Sequence, residues 1–155
     1  MKRAETIIHT LTQRSQTLAV AESCTGGLIA HTLTNVPGCS QSFVLGLVAY
    51  SNQAKTKWLK VKPATLSKYG AVSEPVAVQM ARGIRKAHNT HYGLSVTGIA
   101  GPTGGTAVKP VGLVYIAVNT PQETLCLHCQ FTGTRAQIKR QAMRQALKLL
   151  KTFVE

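Results

Sequence analysis

The tightest limit on the architecture of this chain is set by 17-TLAVAESCTGG-27. Residues 17 to 23 are short, mostly apolar and followed by glycine, the profile of a strand buried on both faces of a parallel sheet. The next segment, 25-TGGLIAHTLTNV-36, reads as a helix closed by Pro37-Gly38. A strand that runs straight into a helix puts Ser23 at the carboxyl edge of the sheet, where open α/β folds hold their ligands.

The same alternation continues along the chain. A helix over about 4 to 16 precedes the first strand, with Ile7, Ile8 and Leu11 on one face. Residues 43-FVLGLVAYS-51 predict a second strand, and 52-NQAKTKWLKV-61 a short helix with Asn52 as its N-cap. Another short helix fits 64 to 70, ending on Gly70. Glu74 and Pro75 open a longer one to about Lys86, with Val76, Met80, Ala81 and Ile84 on its apolar face. Residues 92 to 98 predict a strand, 98 to 110 a glycine-rich loop, and 111 to 119 and 124 to 131 two adjacent strands turning at Thr120-Pro121. A final helix spans about 135 to 153. The pattern predicts an α/β fold: a three-layer α/β/α sandwich around a mixed, mostly parallel sheet, as one domain over 1 to 155 without linker or repeat.

Composition narrows the chemistry. With 155 residues, 44% hydrophobic and 15% charged, the chain has the make-up of a globular domain. No apolar run approaches the roughly 18 residues of a membrane span, and the N-terminal stretch lacks a signal-peptide core, so a cytoplasmic protein is expected. Lys and Arg number 18 against 5 glutamates and no aspartate, a net charge of +13. A Ser-His-Asp triad and an EF-hand loop are therefore absent as normally built. The charge favours anionic partners without choosing between nucleic acid and a phosphorylated small molecule. Cys24, Cys39, Cys126 and Cys129 read as free thiols, and the C-x-x-C pair lies in an expected strand rather than at a helix start.

Three stretches offer chemistry. At 21-AESCTGG-27, Ser23 or Thr25 as a cap would account for one hydroxyl, but not for two glycines in a first helical turn that each weaken it. Gly26 and Gly27 would let a ligand approach the backbone. A nucleophilic Ser23 needs a base. None of the five histidines is singled out by spacing; Lys55 in 50-YSNQAK-55 repeats the strand, hydroxyl and helix pattern, and burial leaves a lysine neutral. In 95-SVTGIAGPTGGTAVKPVG-112, glycines 98, 101, 104 and 105 follow a strand without Walker A or dinucleotide spacing, so the loop offers backbone amides at the same edge.

Taken together, A-E-S-C-T-G-G (21 to 27), Y-S-N-x-A-K (50 to 55), G-A-V-S-E-P (70 to 75), T-G-I-A-G-P-x-G-G with K-P-V-G (97 to 112) and F-T-G-x-R (131 to 135) resemble the CinA C-terminal domain family in its stand-alone form. The resemblance implies a nicotinamide-nucleotide amidase that hydrolyses nicotinamide mononucleotide to nicotinic acid mononucleotide and ammonia in NAD recycling. It implies Ser23 as nucleophile and Lys55 as its base, without metal or cofactor. Beside these we assign Tyr50 to orient Lys55 or relay a proton, and amides near Thr25 and Gly26 to the oxyanion. Thr97, Gly98, Gly101, Gly104, Gly105 and Arg135 are candidates for the substrate phosphate, with Gly27 lining the approach. A homodimer or larger assembly is implied as well. Where members carry acids in this loop, the chain has Thr103 and Thr106-Ala107-Val108, a departure bearing on affinity or substrate choice. Two other functions compete: an amidase for another amide, and a non-catalytic nucleotide- or nucleic-acid-binding basic domain using Arg140, Arg144 and Lys148 with Lys139 and Lys151 nearby. With only 5% aromatic residues the nucleic-acid role ranks below the enzyme.

Overall fold

The computed structural model describes residues 2–155. In chain order the elements are α1 (Lys2–Gln13), β1 (Leu18–Glu22), α2 (Leu28–Thr34), β2 (Phe43–Val48), α3 (Asn52–Leu59), α4 (Pro63–Tyr69), α5 (Glu74–Ala87), β3 (Tyr92–Gly98), β4 (Leu113–Asn119), β5 (Thr124–Gln130) and α6 (Arg135–Val154). The strands form one sheet in the order β2-β1-β3-β4-β5. β1 lies parallel to both β2 and β3, whereas β4 runs antiparallel to β3 and to β5. Four of the five strands therefore point the same way, and β4 alone opposes them.

Side-chain alternation sorts the core into two layers. Leu18 and Val20 of β1, Leu94 and Val96 of β3, and Val114, Ile116 and Val118 of β4 face one side, packed with Ile7 and Leu11 of α1, Ile29 and Leu33 of α2, and Ile138 and Leu150 of α6. The opposite face presents Ala19 and Ala21 to Val76, Met80 and Ile84 of α5 and Leu59 of α3. This second face is built from small residues. A Cβ on Gly93 would come within 2.2 Å of the Ala81 carbonyl oxygen, and the buried Ser95 hydroxyl donates to the Ala77 carbonyl at 2.6 Å. Close approach of α5 to β3 thus depends on two positions without bulk.

Several local expectations change. The first helix after β1 starts at Leu28, not at residue 25, because Gly26 and Gly27 take left-handed φ values of 61° and 94°. They form a turn that an L side chain enters only at a cost. Asn52 is not a cap; Ser51 fills that place, its hydroxyl accepting from the Ala54 amide at 3.0 Å. β4 begins at Leu113 because Gly112 has φ 93° and passes so close to the Phe131 carbonyl that no Cβ fits. α6 opens with a reciprocal cap, Thr134 and Gln137 each bonding the other's backbone N–H. Among the described residues no helix is long and apolar enough to cross a membrane.

Gly93→Ala is expected to lower stability by about 1–3 kcal/mol, the range for overpacking a filled core. A urea denaturation midpoint that matched wild type would contradict the close contact between α5 and β3.

Candidate active site

Ser23 follows directly on β1, beside the switch point between β1 and β3, where the connection from β1 leaves toward β2 on one side and that from β3 toward β4 on the other. Its amide donates to the Val96 carbonyl of β3 at 3.0 Å, which fixes the backbone against the neighbouring strand. β2 ends at Val48, and Ala49, Tyr50 and Ser51 turn the chain into α3, which carries Lys55 inward. Lys55 is 1% exposed and Ser23 8%.

The two side chains meet. Lys55 Nζ lies 3.1 Å from Ser23 Oγ, 3.0 Å from the Ala49 carbonyl oxygen and 3.1 Å from that of Tyr50. Burial lowers the Lys55 pKa from its ordinary 10.5, with only a small opposing influence from the Cys24 thiol. No carboxylate pairs with it among the described residues. The geometry suits the neutral amine well. A neutral amine has two N–H donors and one lone pair, and the two carbonyls accept both donors. The lone pair is then left to face the Ser23 hydroxyl, which can donate to it.

The turn after Ser23 is organised by a residue that sequence reasoning passed over. Glu22, 1% exposed, accepts from the Gly27 and Ile29 amides at 3.1 Å each and from Ala30 at 2.8 Å. A carboxylate thus caps α2, and neither Ser23 nor Thr25 does. The amides at the start of α2 are consequently occupied, and helix-end donors for a ligand are not available there. The missed signal was the glutamate itself: an acid closing an apolar strand just before two glycines and a helix.

Other donors remain. The Gly26 amide is engaged with the Ser23 carbonyl at 3.0 Å, which sets aside its expected place in an oxyanion site. The amides of Cys24 and Thr25 have no protein acceptor among the described residues. Thr25 Oγ1 is buried without a partner as well. Three polar groups in two consecutive residues beside Ser23 are therefore unmatched, in a chain where buried polar groups are normally paired. Cys24 itself is 5% exposed, and burial raises its thiol pKa to about 12, so it packs rather than reacts.

The remaining candidates separate into two groups. Tyr50 is 59% exposed, and its hydroxyl accepts from Arg135 Nη2 at 2.9 Å; it reaches Lys55 through its carbonyl, not its phenol. Arg135 also donates to the Gly101 carbonyl at 2.7 Å, tying α6 to the glycine loop. Thr97 Oγ1 is committed to the Ala71 carbonyl at 2.9 Å. Gly98 is the last residue of β3, where a Cβ would meet the Leu113 carbonyl at 2.7 Å, and Gly105 packs equally close to the Val111 amide. Gly98 and Gly105 owe their identity to packing; at Gly104, with φ 87°, a Cβ would meet only an Ile99 methyl at 3.8 Å. Lys139, expected on an exposed basic stripe, instead points at the nucleophile turn, its Nζ 3.4 Å from where a Gly26 Cβ would be. It sits one helical turn after Arg135, on the same side of α6. Lys151 is not free either, since it pairs with Glu155 at 3.1 Å. Cys126 and Cys129 are three residues apart on β5, hence on opposite faces of the sheet. Burial raises the pKa of both, that of Cys126 to about 12.

Fold and site together define an α/β domain with a buried serine-lysine pair at the carboxyl edge of its parallel strands. The model of the CinA C-terminal domain matches residues 1–154, and the chain belongs to that family. A CinA-like protein of Acidobacterium capsulatum is 52% identical over 145 residues, covering 94% of this chain and 35% of the relative. A putative competence-damage inducible protein of Caldanaerobacter subterraneus is 47% identical, covering 97% of this chain and 37% of its own length. The chain thus spans about a third of the curated relatives it matches. Among solved structures, the competence/damage inducible protein CihA from Agrobacterium tumefaciens superposes with a TM-score of 0.97 at 39% identity, over 99% of this chain and 94% of that one. A CinA superfamily protein from Klebsiella pneumoniae superposes at 0.94 with 31% identity, over 99% and 96%.

Glu22→Ala is expected to cost roughly 3 kcal/mol, because it leaves three amides without their acceptor. Exposed Glu5→Ala should stay within about 0.5 kcal/mol of wild type. Equal urea midpoints for the two variants would show that the Glu22 carboxylate does not hold the turn.

Proposed function

We propose that the chain is a nicotinamide-nucleotide amidase that converts nicotinamide mononucleotide to nicotinic acid mononucleotide and ammonia through Ser23 and Lys55. The observation that carries this reading is the three-way coordination of the buried Lys55 amine, with two carbonyls and one hydroxyl around it. That environment favours an uncharged base already aimed at its nucleophile.

The chemistry follows from the atoms. Lys55 Nζ takes the Ser23 proton as Oγ attacks the carboxamide carbon, and the carbonyl oxygen becomes an oxyanion. The unpaired Cys24 and Thr25 amides are the donors that support it, a contribution of about 3–4 kcal/mol for one such donor. The tetrahedral adduct collapses with cleavage of the C–N bond, and the Lys55 ammonium gives its proton to the departing ammonia. A water then attacks the acyl ester while Lys55 again accepts a proton, and returning that proton to Ser23 Oγ frees the carboxylate product. Tyr50 acts in this scheme as the carbonyl that orients the amine. Arg135 and Lys139 offer cationic donors for the phosphate from one face of α6.

Ammonia release from nicotinamide mononucleotide is expected to fall by roughly 10³-fold or more in Ser23→Ala and in Lys55→Ala, with circular dichroism unchanged. Because Lys55 works uncharged and its pKa is lowered, wild-type kcat/KM should rise with pH to a plateau whose midpoint lies below 10.5. Activity persisting in either variant, or a limb centred on the ordinary lysine value, would remove the dyad.

Lys139→Ala should reduce kcat/KM for the mononucleotide by about tenfold while leaving turnover of unphosphorylated pyridine carboxamides unaltered. An equal loss for both substrates would mean that Lys139 does not meet the phosphate. Faster hydrolysis of another amide than of the mononucleotide would instead support a different substrate, consistent with the acid-free loop around Thr103.

A further inference from the structure

A second hollow, of about 440 Å³, lies where the end of α3 meets the last turns of α5. It is displaced from Ser23 along the sheet: α5 runs antiparallel to β3, with Ala77 against Ser95 and Ala81 and Arg85 against Gly93, and the hollow lies at its last turns. Its floor exists because Gly83 lets the two helices touch; a Cβ there would stand 1.9 Å from the Leu59 carbonyl oxygen. The volume is that of a small-molecule site.

Its lining is one-sided in charge. Lys60, Lys62, Arg82 and Lys86 surround it, with no acid among the lining residues. Among the described residues none of the four forms an ion pair, and Glu123, which shares the adjoining hollow with Arg82 and Lys86, pairs with neither. Arg82 and Lys86 are four apart on α5, a spacing at which like charges repel. Lys60 ends α3 at φ 57°, a left-handed position usually given to glycine, and its ammonium donates to the Lys57 carbonyl at 3.1 Å, which leaves two of its N–H donors free. The wall is Trp58, 56% exposed. The Lys57 ammonium lies 4.9 Å from the indole centroid over one face, which leaves the other for a planar group.

We propose that this hollow is a nucleotide site separate from the serine-lysine pair, with a base stacked on Trp58 and its phosphate held by Arg82 and Lys86, assisted by Lys60 and Lys62. Cations without acidic partners supply the charge-assisted donors that a phosphate needs. One exposed aromatic accommodates one base; a single strand of nucleic acid needs a succession of them. An open hollow with a single stacking surface therefore favours a mononucleotide over a polymer.

Trp58 is the sole tryptophan of the chain, so its fluorescence reports on this hollow directly. Titration of the full chain with AMP is expected to quench it saturably, and equally in Ser23→Ala. Adenosine and inorganic phosphate, tested separately, should each bind at least about tenfold more weakly, and so should AMP to the exposed-surface double variant Arg82→Ala/Lys86→Ala. No saturable change up to millimolar AMP, equal affinity for adenosine, or unaltered AMP affinity in the double variant would overturn the proposal. Much tighter, steeply salt-dependent binding of a single-stranded oligonucleotide would overturn it too, in favour of nucleic acid.

Discussion

An amine held between two carbonyls is the interaction around which this molecule is arranged. Burying a lysine is costly unless its donors are met. Ala49 and Tyr50 meet them only because β2 ends at Val48 and these two residues turn their carbonyls inward. Ser51 then caps α3, so the helix that delivers Lys55 begins at the one place from which its side chain can reach Ser23. Ser23 has a matching anchor, its amide bonded across to β3. Each partner is thus fixed by backbone rather than by another side chain, which limits drift in the distance between them.

The turn that follows Ser23 shows how charge is allotted. Glu22 neutralises the positive end of α2 from within the core, using three amides. What remains beside the hydroxyl is a small set of unpaired backbone donors at Cys24 and Thr25 and an unmatched threonine hydroxyl. Long-range cationic character comes from elsewhere, from Arg135 and Lys139 on α6. Buried amine, acid-capped helix and basic rim coexist because each occupies a different element.

Much of the architecture was legible in the sequence because its periods were clean. The buried strands at 17 to 23 and 92 to 98, the amphipathic α5 and α6, and the placement of Ser23 at a strand end all follow from apolar runs and their breaks. The proximity of Ser23 and Lys55 came from likeness to a family, since 32 residues separate them and no local pattern encodes the contact. What was misread depended on competition for backbone amides. Residues 25 to 27 have a helix-compatible pattern, yet left-handed glycines and a buried glutamate outweigh it. The Thr97 hydroxyl is taken by the Ala71 carbonyl, and Gly98 and Gly105 sit where packing leaves no room for a Cβ, neither of which a sequence pattern displays. Lys139 was placed on an outer stripe because helical spacing gives a face, not what that face meets.

Arg135 and Lys139 lie in the opening turns of α6, beside Ile138, while most of the residues that anchor the helix in the core, Ala142, Ala146 and Leu150 among them, come later. Its start is secured independently by the Thr134–Gln137 cap. Arg135 is exposed and Lys139 half-buried, and neither supports the turn that holds Ser23. Substitution at these two positions can retune what approaches the serine without unseating it. The domain is thereby separable into a fixed serine-lysine pair and a cationic rim on one helix that can change without disturbing it.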